Sequence, residues 1–401
     1  MGSAALLTPS ILTKESLMIL ENNLVAANRV NRKFENQFVK IGASLTIRKP
    51  NRFTITSGAG LSVQDIAEPS VSITVNQQKH ADFQFTSQDL TLTVEEFSER
   101  YLKPAMATLA NQIDADTLAN ITAVYDYVGT NGTTPSAFSS SVQLVGRRMD
   151  EEAAPQDNRT LVLNPAAYWA LAGGQTGLFV MPTAKDALVK GYLATIGNYE
   201  VYMDQNTPTF STGIHVTTNG VTITGGQTGS TLSTAGWNST DTFVVGEVIT
   251  IASVLAINPQ NRLSTGVLKP FVITAAVGVT SSDVRSTATL SISPPLLSSG
   301  PYQTVNSAPS VSSAISFLTP TATSASTTPN NLAFTRDAFG LVMVPLEIPG
   351  GVDFAARETY RNISMRVIRA YDINNDVFPT RIDVLYGTAT YYPELAVRLA
   401  G

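Results

Sequence analysis

The sequence predicts an α+β fold interrupted by an all-β insertion, and three observations support this. Residues 44–86 alternate apolar and polar side chains with a period of two. Residues 94–128 carry apolar side chains at a spacing of three and four. Residues 205–330 contain six charged residues and are rich in Thr, Ser, Gly and Val, which is typical of short strands joined by turns.

The first 43 residues predict an N-terminal arm followed by a short amphipathic helix. Apolar residues recur at helical spacing from Leu17 to Ala27, and Thr13 is a candidate N-cap. We therefore expect the helix at 14–29. The residues before it lack periodicity, and we expect an arm that orders against a partner.

Residues 44–86 predict an extended β-hairpin. Leu45 and Ile47 begin the outward alternation, a flexible turn follows at Ser57–Gly60, and the return run continues to Phe85. A lone hairpin is only marginally stable in water. This one should therefore lie on its own domain or on a neighbouring subunit.

A long helix should follow the hairpin, from Val94 to Val128. Thr93 and Glu96 fit a capping box, and Gly129 should end the helix. About 35 residues would give a rod of roughly 50 Å. Pro104 should kink this rod near its first third.

The rest of the chain predicts one α+β domain from two segments, 87–204 and 331–401, with residues 205–330 inserted as a β-barrel. Leu161–Leu163 and Tyr199–Met203 are expected strands, and 184–193 an expected helix. Residues 307–328 are rich in Ser, Thr and Pro, so we expect a poorly structured return. Four later strands are expected, at Ala333 and within 341–346, 363–368 and 382–390.

Composition narrows the classes of function. The 401 residues include 14% charged residues, against about 25% in an average protein, and such a surface suits large contacts with other protein chains. The formal net charge is −5 without a basic run, which argues against a sequence-specific nucleic-acid reader. No cysteine is present, so disulfides and thiolate chemistry are excluded. The features of a signal peptide or a membrane span are not found.

Catalytic patterns are weak, and we predict no catalytic, cofactor or metal site. His80 lies beside Lys79 on the hairpin, where we expect it to face a partner or solvent, and His215 has no acidic residue near it in sequence to form a triad. Phosphate-binding glycine motifs are absent. Three pairs of carboxylates lie close in sequence: Glu95 with Glu96, Asp114 with Asp116, and Glu151 with Glu152. We interpret them as helix caps and solvated faces, although two distant carboxylates could serve a glycosidase.

The stretch from Asp372 to Asp383 imitates a calcium loop. Asp372, Asn374 and Asp376 have the spacing of the first ligands. Val377 stands where that loop requires glycine, and Asp383 stands where it has glutamate. We therefore interpret this stretch as a polar loop between strands.

Two runs carry a family resemblance. Phe243–Ile251 is followed by Ile257–Thr274, which contains Asn-Pro-Gln, Ser-Thr-Gly and Phe-Val-Ile. Together with Leu163-Asn-Pro and Asn331–Phe339, they resemble the coat proteins of tailed double-stranded DNA phages. The element order is similar to the HK97-like capsid fold, and the insertion resembles the β-barrel of the P22-type coat proteins. Glu247 stands where Asp is commoner in that family.

The resemblance implies a structural major capsid protein rather than an enzyme. The hairpin would be the extended loop that lies along an adjacent subunit, the helix from Val94 the spine helix, and the α+β segments the peripheral and axial domains. The chain would form hexamers and pentamers of an icosahedral head around packaged DNA. A scaffolding protein and a portal protein are implied partners, and a decoration protein is a further one. The location would be the virion, and the host cytoplasm during assembly, with no membrane.

The hairpin charges are the candidate contacts between subunits. They are Arg48, Lys49, Arg52, Asp65, Glu68, Lys79 and Asp82. We hypothesise that some pair with a neighbouring subunit and set its register, while solvated positions remain the alternative. Reversal of the charge at Arg48 or Arg52 should then impair assembly and leave the monomer folded.

Three other functions fit parts of the sequence. A β-rich phage tail or adhesin protein would explain the insertion but not the helix from Val94. A secreted carbohydrate-active enzyme would require a signal peptide and more exposed Trp than the two tryptophans provide. An encapsulin-like shell protein shares the expected fold but lacks the inserted barrel.

Overall fold

The computed structural model describes most of the chain and divides it into two compact units. The described residues are 9–34, 44–61, 63–64, 68–86, 98–174, 193, 195–216, 220–278, 286–320, 326–352, 354–375 and 377–401. The first unit comprises Met1–Arg48, Ser70–Thr117 and Phe339–Ala389. The second unit comprises Lys49–Pro69, Leu118–Ala338 and Thr390–Gly401.

The described residues form a mixed α+β structure. The α-helices are α1 (Pro9–Asn23), α2 (Lys103–Leu118), α3 (Val142–Glu151) and α4 (Pro165–Gly174). The strands, in chain order, are β1 (Ser44–Arg48), β2 (Ser70–Thr74), β3 (Gln77–Thr86), β4 (Tyr127–Val128), β5 (Arg159–Leu163), β6 (Thr195–Ile196), β7 (Tyr199–Met203), β8 (Thr209–Ser211), β9 (Val221–Thr222), β10 (Gly229–Trp237), β11 (Thr242–Phe243), β12 (Val248–Ile257), β13 (Ser264–Ile273), β14 (Val277–Gly278), β15 (Ser286–Leu296), β16 (Ile315–Phe317), β17 (Thr327–Thr335), β18 (Phe339–Met343), β19 (Phe354–Tyr360), β20 (Ile363–Arg369), β21 (Val377–Thr390) and β22 (Ala396–Ala400).

Helix α1 begins earlier than the sequence pattern predicted. It starts at Pro9 and ends at Asn23, so the expected helix at 14–29 is wrong at both ends. Proline suits the first helical position because its missing N–H would be unpaired there. Thr13 is not an N-cap; it lies inside the helix and is fully buried. The helix packs on β19 and β20 through buried residues that include Leu17 and Leu20.

The predicted hairpin is shorter than expected. Strands β1 and β2 pair antiparallel over five residue pairs, from Ser44 opposite Thr74 to Arg48 opposite Ser70. The second half of the predicted return run is β3, which pairs with β21 over ten residues. The prediction of one hairpin across 44–86 is therefore wrong beyond Thr74, because a longer pairing with a distant strand replaces the local one.

The predicted long helix is shorter and consists of a π-helical, an α-helical and a 3-10 segment. A π-helical turn at Ser98–Leu102 leads into α2, and a 3-10 turn at Ala119–Ala123 ends it. The predicted end at Val128 is wrong because Tyr127–Val128 is a strand that pairs with β22. Pro104 lies two residues beyond the π-helical turn, inside the helical run, and the predicted kink there stays a prediction. The predicted capping box, residues 93–96, lies outside the described residues.

The first unit contains a five-stranded sheet ordered β18-β21-β20-β19, with β3 paired to β21. Three of the predicted later strands are confirmed here as β18, β20 and β21. Asp114 of α2 is buried and accepts hydrogen bonds from the backbone N–H groups of Val25 and Ala27, at 2.7 and 2.8 Å. It therefore satisfies two backbone N–H groups in the segment that follows α1, and its predicted place on a solvated face is wrong.

The second unit contains a seven-stranded mixed sheet, ordered β4-β22-β17-β5-β7-β6, with β8 paired to β17. The predicted strands Leu161–Leu163 and Tyr199–Met203 are confirmed as parts of β5 and β7, which pair in parallel. Helices α3 and α4 share a core with this sheet. Strand β22 was not predicted, and the predicted helix at 184–193 lies outside the described residues except for residue 193.

A second sheet of this unit has six strands, all between 221 and 317, in the order β16-β12-β13-β15-β10-β9. Its two outer strands approach each other. The N–H of Ile315 donates to the carbonyl of Gly220 at 2.8 Å, and that of Thr222 donates to Ser313 at 3.1 Å. Strand β16 lies inside the return that we expected to lack structure, so that expectation is wrong at Ile315–Phe317.

Candidate assembly site

Residues Lys49–Pro69 connect β1 to β2 and are called the loop below. The two ends of the loop are joined, because the N–H of Lys49 donates to the carbonyl of Pro69 at 2.7 Å. The Lys49 ammonium lies 4.7 Å from the centre of the Tyr392 ring. Arg52 forms an ion pair with Glu394 at 3.4 Å. The base of the loop is therefore held by the segment that precedes β22.

A second set of contacts comes from the residues of the predicted insertion. The hydroxyl of Tyr302 accepts from the N–H of Arg52 at 3.4 Å and donates to Asn51 at 3.3 Å. Arg262 donates to the carbonyl of Phe53 at 2.9 Å. These bonds fix the course of the chain up to Phe53, and residues 55–61 beyond it are exposed.

The distal part of the loop is apolar and exposed. Gln64 accepts from the N–H of Thr54 at 2.8 Å and donates back to its carbonyl, which ties the two sides together. Four large apolar side chains then face solvent, with exposed fractions given in parentheses: Phe53 (62%), Ile55 (99%), Leu61 (93%) and Val63 (82%). Single exposed apolar side chains are ordinary, but a cluster within eleven residues indicates a contact surface for another molecule.

The predicted contact charges lie either at the two ends of the loop or on β3. Arg48 and Glu68 are exposed near the junction of the strands with the loop, and Lys49 and Arg52 lie at its base. Lys79 and Asp82 lie on β3. The remaining candidate, Asp65, is outside the described residues.

Several of these charges have partners in the same chain. Arg52 pairs with Glu394, and Lys79 lies 3.4 Å from Asp116. Asp82 lies 2.8 Å from His80. These intrachain pairs were not predicted. Glu394 and Asp116 are distant in sequence from their partners, and His80 was expected to face a partner or solvent. Burial lowers the pKa of Lys49, while Glu394 acts in the opposite direction and Arg52 in the same direction as burial.

A buried ionic cluster borders a cavity beside the base of the loop. Arg148 of α3 donates to Asp126 at 2.6 Å, to Glu151 at 3.2 Å and to Glu152 at 3.3 Å. Lys269 of β13 donates to the same oxygen of Glu152 at 2.6 Å. The predicted solvated position of Glu152 is therefore wrong, because a cation from the inserted segment is buried against it.

Burial sets the charge balance of this cluster. It raises the pKa of Asp126 to about 6, although Arg148 acts against the rise. Burial also opposes the charged form of Arg148, but Asp126 and Glu152 raise its pKa overall. The cluster was not predicted, because an Arg-Arg pair and a Glu-Glu pair are ordinary on a helix surface.

Arg398 of β22 is buried in a different way. Its guanidinium donates to the carbonyls of Gly246 at 2.7 Å and Thr122 at 3.1 Å. It lies 5.7 Å from the centre of the Phe210 ring. Burial lowers the pKa of Arg398 to about 9, so the side chain remains charged at neutral pH.

His215 is a buried structural residue. Its Nε2 lies 2.7 Å from Glu247, and the ring packs on Phe243 and Phe317. The Glu247 carboxylate also accepts the N–H groups of Gly213 and Val244. No hydroxyl nucleophile is hydrogen-bonded to His215 in the described residues, and its Nδ1 has no hydrogen-bond partner there.

The calcium-like stretch forms a turn and an ion pair. Asp372 accepts from the N–H of Asn374 at 3.0 Å. Asp383 is buried and accepts from Arg366 and Arg381, both at 2.5 Å. Asp376 lies outside the described residues. Within the part of the chain that the structure describes, His, Asp and Glu side chains form no group of three or more that could hold a metal ion. The helices among these residues are too short or too polar to span a membrane.

The chain is similar to one known protein family and to solved structures from phages. The family model described as P22 coat protein, gene protein 5, matches residues 5–401. A solved structure of Mycobacterium phage Che8 is similar at 12% identity and a TM-score of 0.49, covering 94% of this chain and 90% of that one. A capsid structure of the Cyanophage P-SCSP1u is similar at 10% identity and a TM-score of 0.43, covering 90% and 84%. None of the curated proteins compared with the chain is similar to it.

The family match defines a structural protein of a virus capsid rather than an enzyme. The chain belongs to the P22 coat protein family. It is a major capsid protein, and its location is the phage virion. Coat proteins build shells from copies of themselves, so the surfaces that matter for function are contacts between subunits.

Proposed function

We propose that the chain assembles as hexamers and pentamers into an icosahedral head that encloses packaged double-stranded DNA. The observation that carries this proposal is the loop, whose tied base projects four exposed apolar side chains. An apolar cluster of this kind is costly in a monomer and gains free energy when another subunit covers it. The formal net charge of −5 is consistent with a wall that does not bind DNA tightly.

We further propose the HK97-like arrangement for this chain. In it, β1, β2 and the loop form the extended loop, and the helical run 98–123 forms the spine. Residues 87–204 and 331–401 would supply the peripheral and axial domains, and residues 1–43 the arm. The six-stranded sheet would be the barrel of the insertion 205–330, supported by the hydrogen bonds between its outer strands β9 and β16.

The proposed partners follow from this assembly. A scaffolding protein would guide a precursor shell in the host cytoplasm, a portal protein would occupy one vertex, and a decoration protein is a further candidate on the outer surface. Arg48 and Glu68 are the exposed members of the candidate contact charges near the loop. We propose that they contact a neighbouring subunit and set its register.

Electron microscopy of the chain, expressed alone and with its scaffolding protein, tests the proposal. We expect closed shells or polyhedral fragments. Discrete trimers or fibres in both preparations would instead support the tail or adhesin function.

Matched variants test the loop itself. Ile55→Asp with Leu61→Asp should raise the concentration needed for assembly at least about tenfold, which corresponds to about 1.4 kcal/mol. Thr56→Asp adds a charge to the same exposed stretch without removing an apolar side chain and should have a small effect. Arg48→Glu should impair assembly more than Arg147→Glu, an exposed reversal on α3. Equal effects within either pair would contradict the proposed contact.

A further inference from the structure

Helix α4 of the second unit has a buried inner face and an outer face that is apolar but exposed. The buried residues include Ala167, Tyr168 and Leu171, which share a core with the seven-stranded sheet. On the outer face, Ala166 is exposed, and 59% of the Trp169 surface is accessible. A helix that is apolar on all sides is normally covered on all sides. The outer face of α4 therefore lacks the cover that its composition calls for.

The outer face of α4 also lacks charge. The helix contains no charged residue, and the sequence around it has none from Thr160 to Ala184. A surface helix usually carries charged residues on the face that points away from the core. Depletion of charge and enrichment of tryptophan are instead typical of the centre of a protein contact, where each buried charge would need a partner. The composition of this face is that of a contact surface.

The Trp169 side chain is packed on one side. Its ring meets the buried Tyr168 ring edge to face, with the centroids 6.1 Å apart and an angle of 83° between the planes. This contact orients the indole, while more than half of its surface remains accessible. An oriented aromatic ring loses little conformational entropy when a partner covers it. Trp169 is therefore suited to anchor a contact.

The two ends of α4 are flanked by further exposed apolar side chains. Met203 is exposed and pairs in parallel with Leu163, two residues before the helix begins. Phe138 is exposed and follows Ser136, whose carbonyl would overlap a Cβ placed on Gly174 at the end of the helix. Ten residues of helix span about 15 Å, so exposed apolar groups accompany α4 over its whole length. We call the exposed residues Phe138, Ala166, Trp169 and Met203 the α4 surface.

We propose that a second copy of the chain covers the α4 surface, with Trp169 at the centre of the contact. The chain belongs to a family of coat proteins, so copies of itself are the partners that each subunit meets. When identical chains meet, a charged patch that faces its own copy is repelled, whereas an uncharged surface is not. The inference rests on the proposed self-assembly and adds a contact that uses none of the residues of the loop.

Tryptophan fluorescence tests the proposal without altering the surface, because the chain has two tryptophans. Trp237 is fully buried in the core of the six-stranded sheet, so acrylamide should quench only Trp169 in the monomer. Acrylamide is small and uncharged, and it reaches both surfaces of a shell after equilibration. In assembled particles, the quenching of Trp169 should fall at least about fivefold, since the centre of a contact excludes solvent. Trp169→Phe gives the baseline of Trp237 and should show weak quenching in both states.

Each outcome decides between the proposals. Equal quenching of Trp169 in particles and in monomers would overturn the α4 contact while self-assembly stands. Protection of Trp169 by scaffolding protein that is added below the assembly concentration would also overturn it, because scaffolding protein would then be the occupant. Absence of particles from the unmodified chain, with or without scaffolding protein, would overturn the self-assembly on which the inference rests.

A charge variant gives a second readout. Ala166→Lys should raise the concentration needed for assembly at least about tenfold, because the contact would bury an unpaired ammonium. Gln143→Lys is the control, since Gln143 is exposed on α3 and gains the same charge; it should change this concentration by less than about twofold. Both monomers should show the urea unfolding midpoint of the unmodified chain, because both sites are exposed. Equal assembly concentrations for the two variants would contradict the contact.

Discussion

Arg148 and Arg398 are both buried in the second unit, yet their charges are balanced differently. Arg148 is surrounded by the carboxylates of Asp126, Glu151 and Glu152. Arg398 has no carboxylate within ion-pair distance among the described residues and donates to the carbonyls of Gly246 and Thr122. Carboxylates neutralise the charge of Arg148, whereas backbone carbonyl dipoles stabilise the charge of Arg398.

The difference predicts how each site responds to substitution. Removal of Arg148 leaves buried carboxylates without their main counter-charge, a costly state. Removal of Arg398 leaves only neutral carbonyls unpaired, at a smaller cost per group. Gly246 shows how the second site is built: it has φ +99°, and a Cβ there would lie 2.8 Å from the Phe210 ring. The Arg398 site therefore depends on backbone geometry as much as on its side chain.

The largest effect should come from Arg148→Met. We expect a loss of about 3–5 kcal/mol in the free energy of unfolding, since Asp126 and Glu152 stay buried without this partner. Arg147→Met is the control, because Arg147 is exposed and its ion pair is at the surface, so its cost should be below about 1 kcal/mol. Urea unfolding of the monomer measures both. Similar costs for the two variants would show that the cluster is not a unit.

The free energy of unfolding should depend on pH because the buried Asp126 carboxyl titrates differently in the folded and unfolded chain. Its pKa is raised to about 6 from an ordinary value near 3.8, so the folded state holds the proton more tightly between about pH 4 and pH 6. The free energy of unfolding should therefore fall as pH rises through this window, by up to about 3 kcal/mol.

Asp126→Asn should remove that contribution. Unfolding in urea at about pH 4.5 and pH 7.5 compares the two proteins. We expect the difference between the two pH values to be smaller in the variant, because asparagine does not titrate. An unchanged difference would assign the pH dependence to other groups.

The smallest effect in the comparison should come from Arg398→Met. We expect a cost of about 1–2 kcal/mol, since the apolar replacement relieves the desolvation of a charge while two carbonyls lose their donor. The same unfolding measurement applies. A cost as large as that of Arg148→Met would mean that the carbonyl dipoles stabilise the cation as strongly as carboxylates do.

Local patterns predicted that individual strands exist, but they did not predict which strands pair. The strand at Leu161–Leu163 was recognisable because a fully buried strand is a short apolar run, and the strand at Tyr199–Met203 because its side chains alternate between buried and exposed. The pairing of β3 with β21 was not, because alternation defines a strand but does not identify its neighbour. Gly129 was interpreted as a helix stop, but it has φ +96° beside Ala400, where a side chain would meet that backbone.

The candidate site was predicted only in part, because its strands follow a local pattern and its ion pairs do not. The hairpin and its charges are visible as a pattern, and β1 pairs with β2 as expected at their ends. The partners of Arg52 and Lys269 are 342 and 117 residues away along the chain. Pairs at such separations depend on the tertiary fold, which no local pattern specifies.

The place of β22 in its sheet has a consequence for how the chain is made. Among the described residues, β4 joins the seven-stranded sheet only through β22, which lies between β4 and β17. A nascent chain therefore cannot close this sheet until residues 396–400 have left the ribosome. Until then, the segment that holds the base of the loop, including Glu394, is also missing. A subunit with this sheet and the tied loop therefore exists only after β22 has emerged.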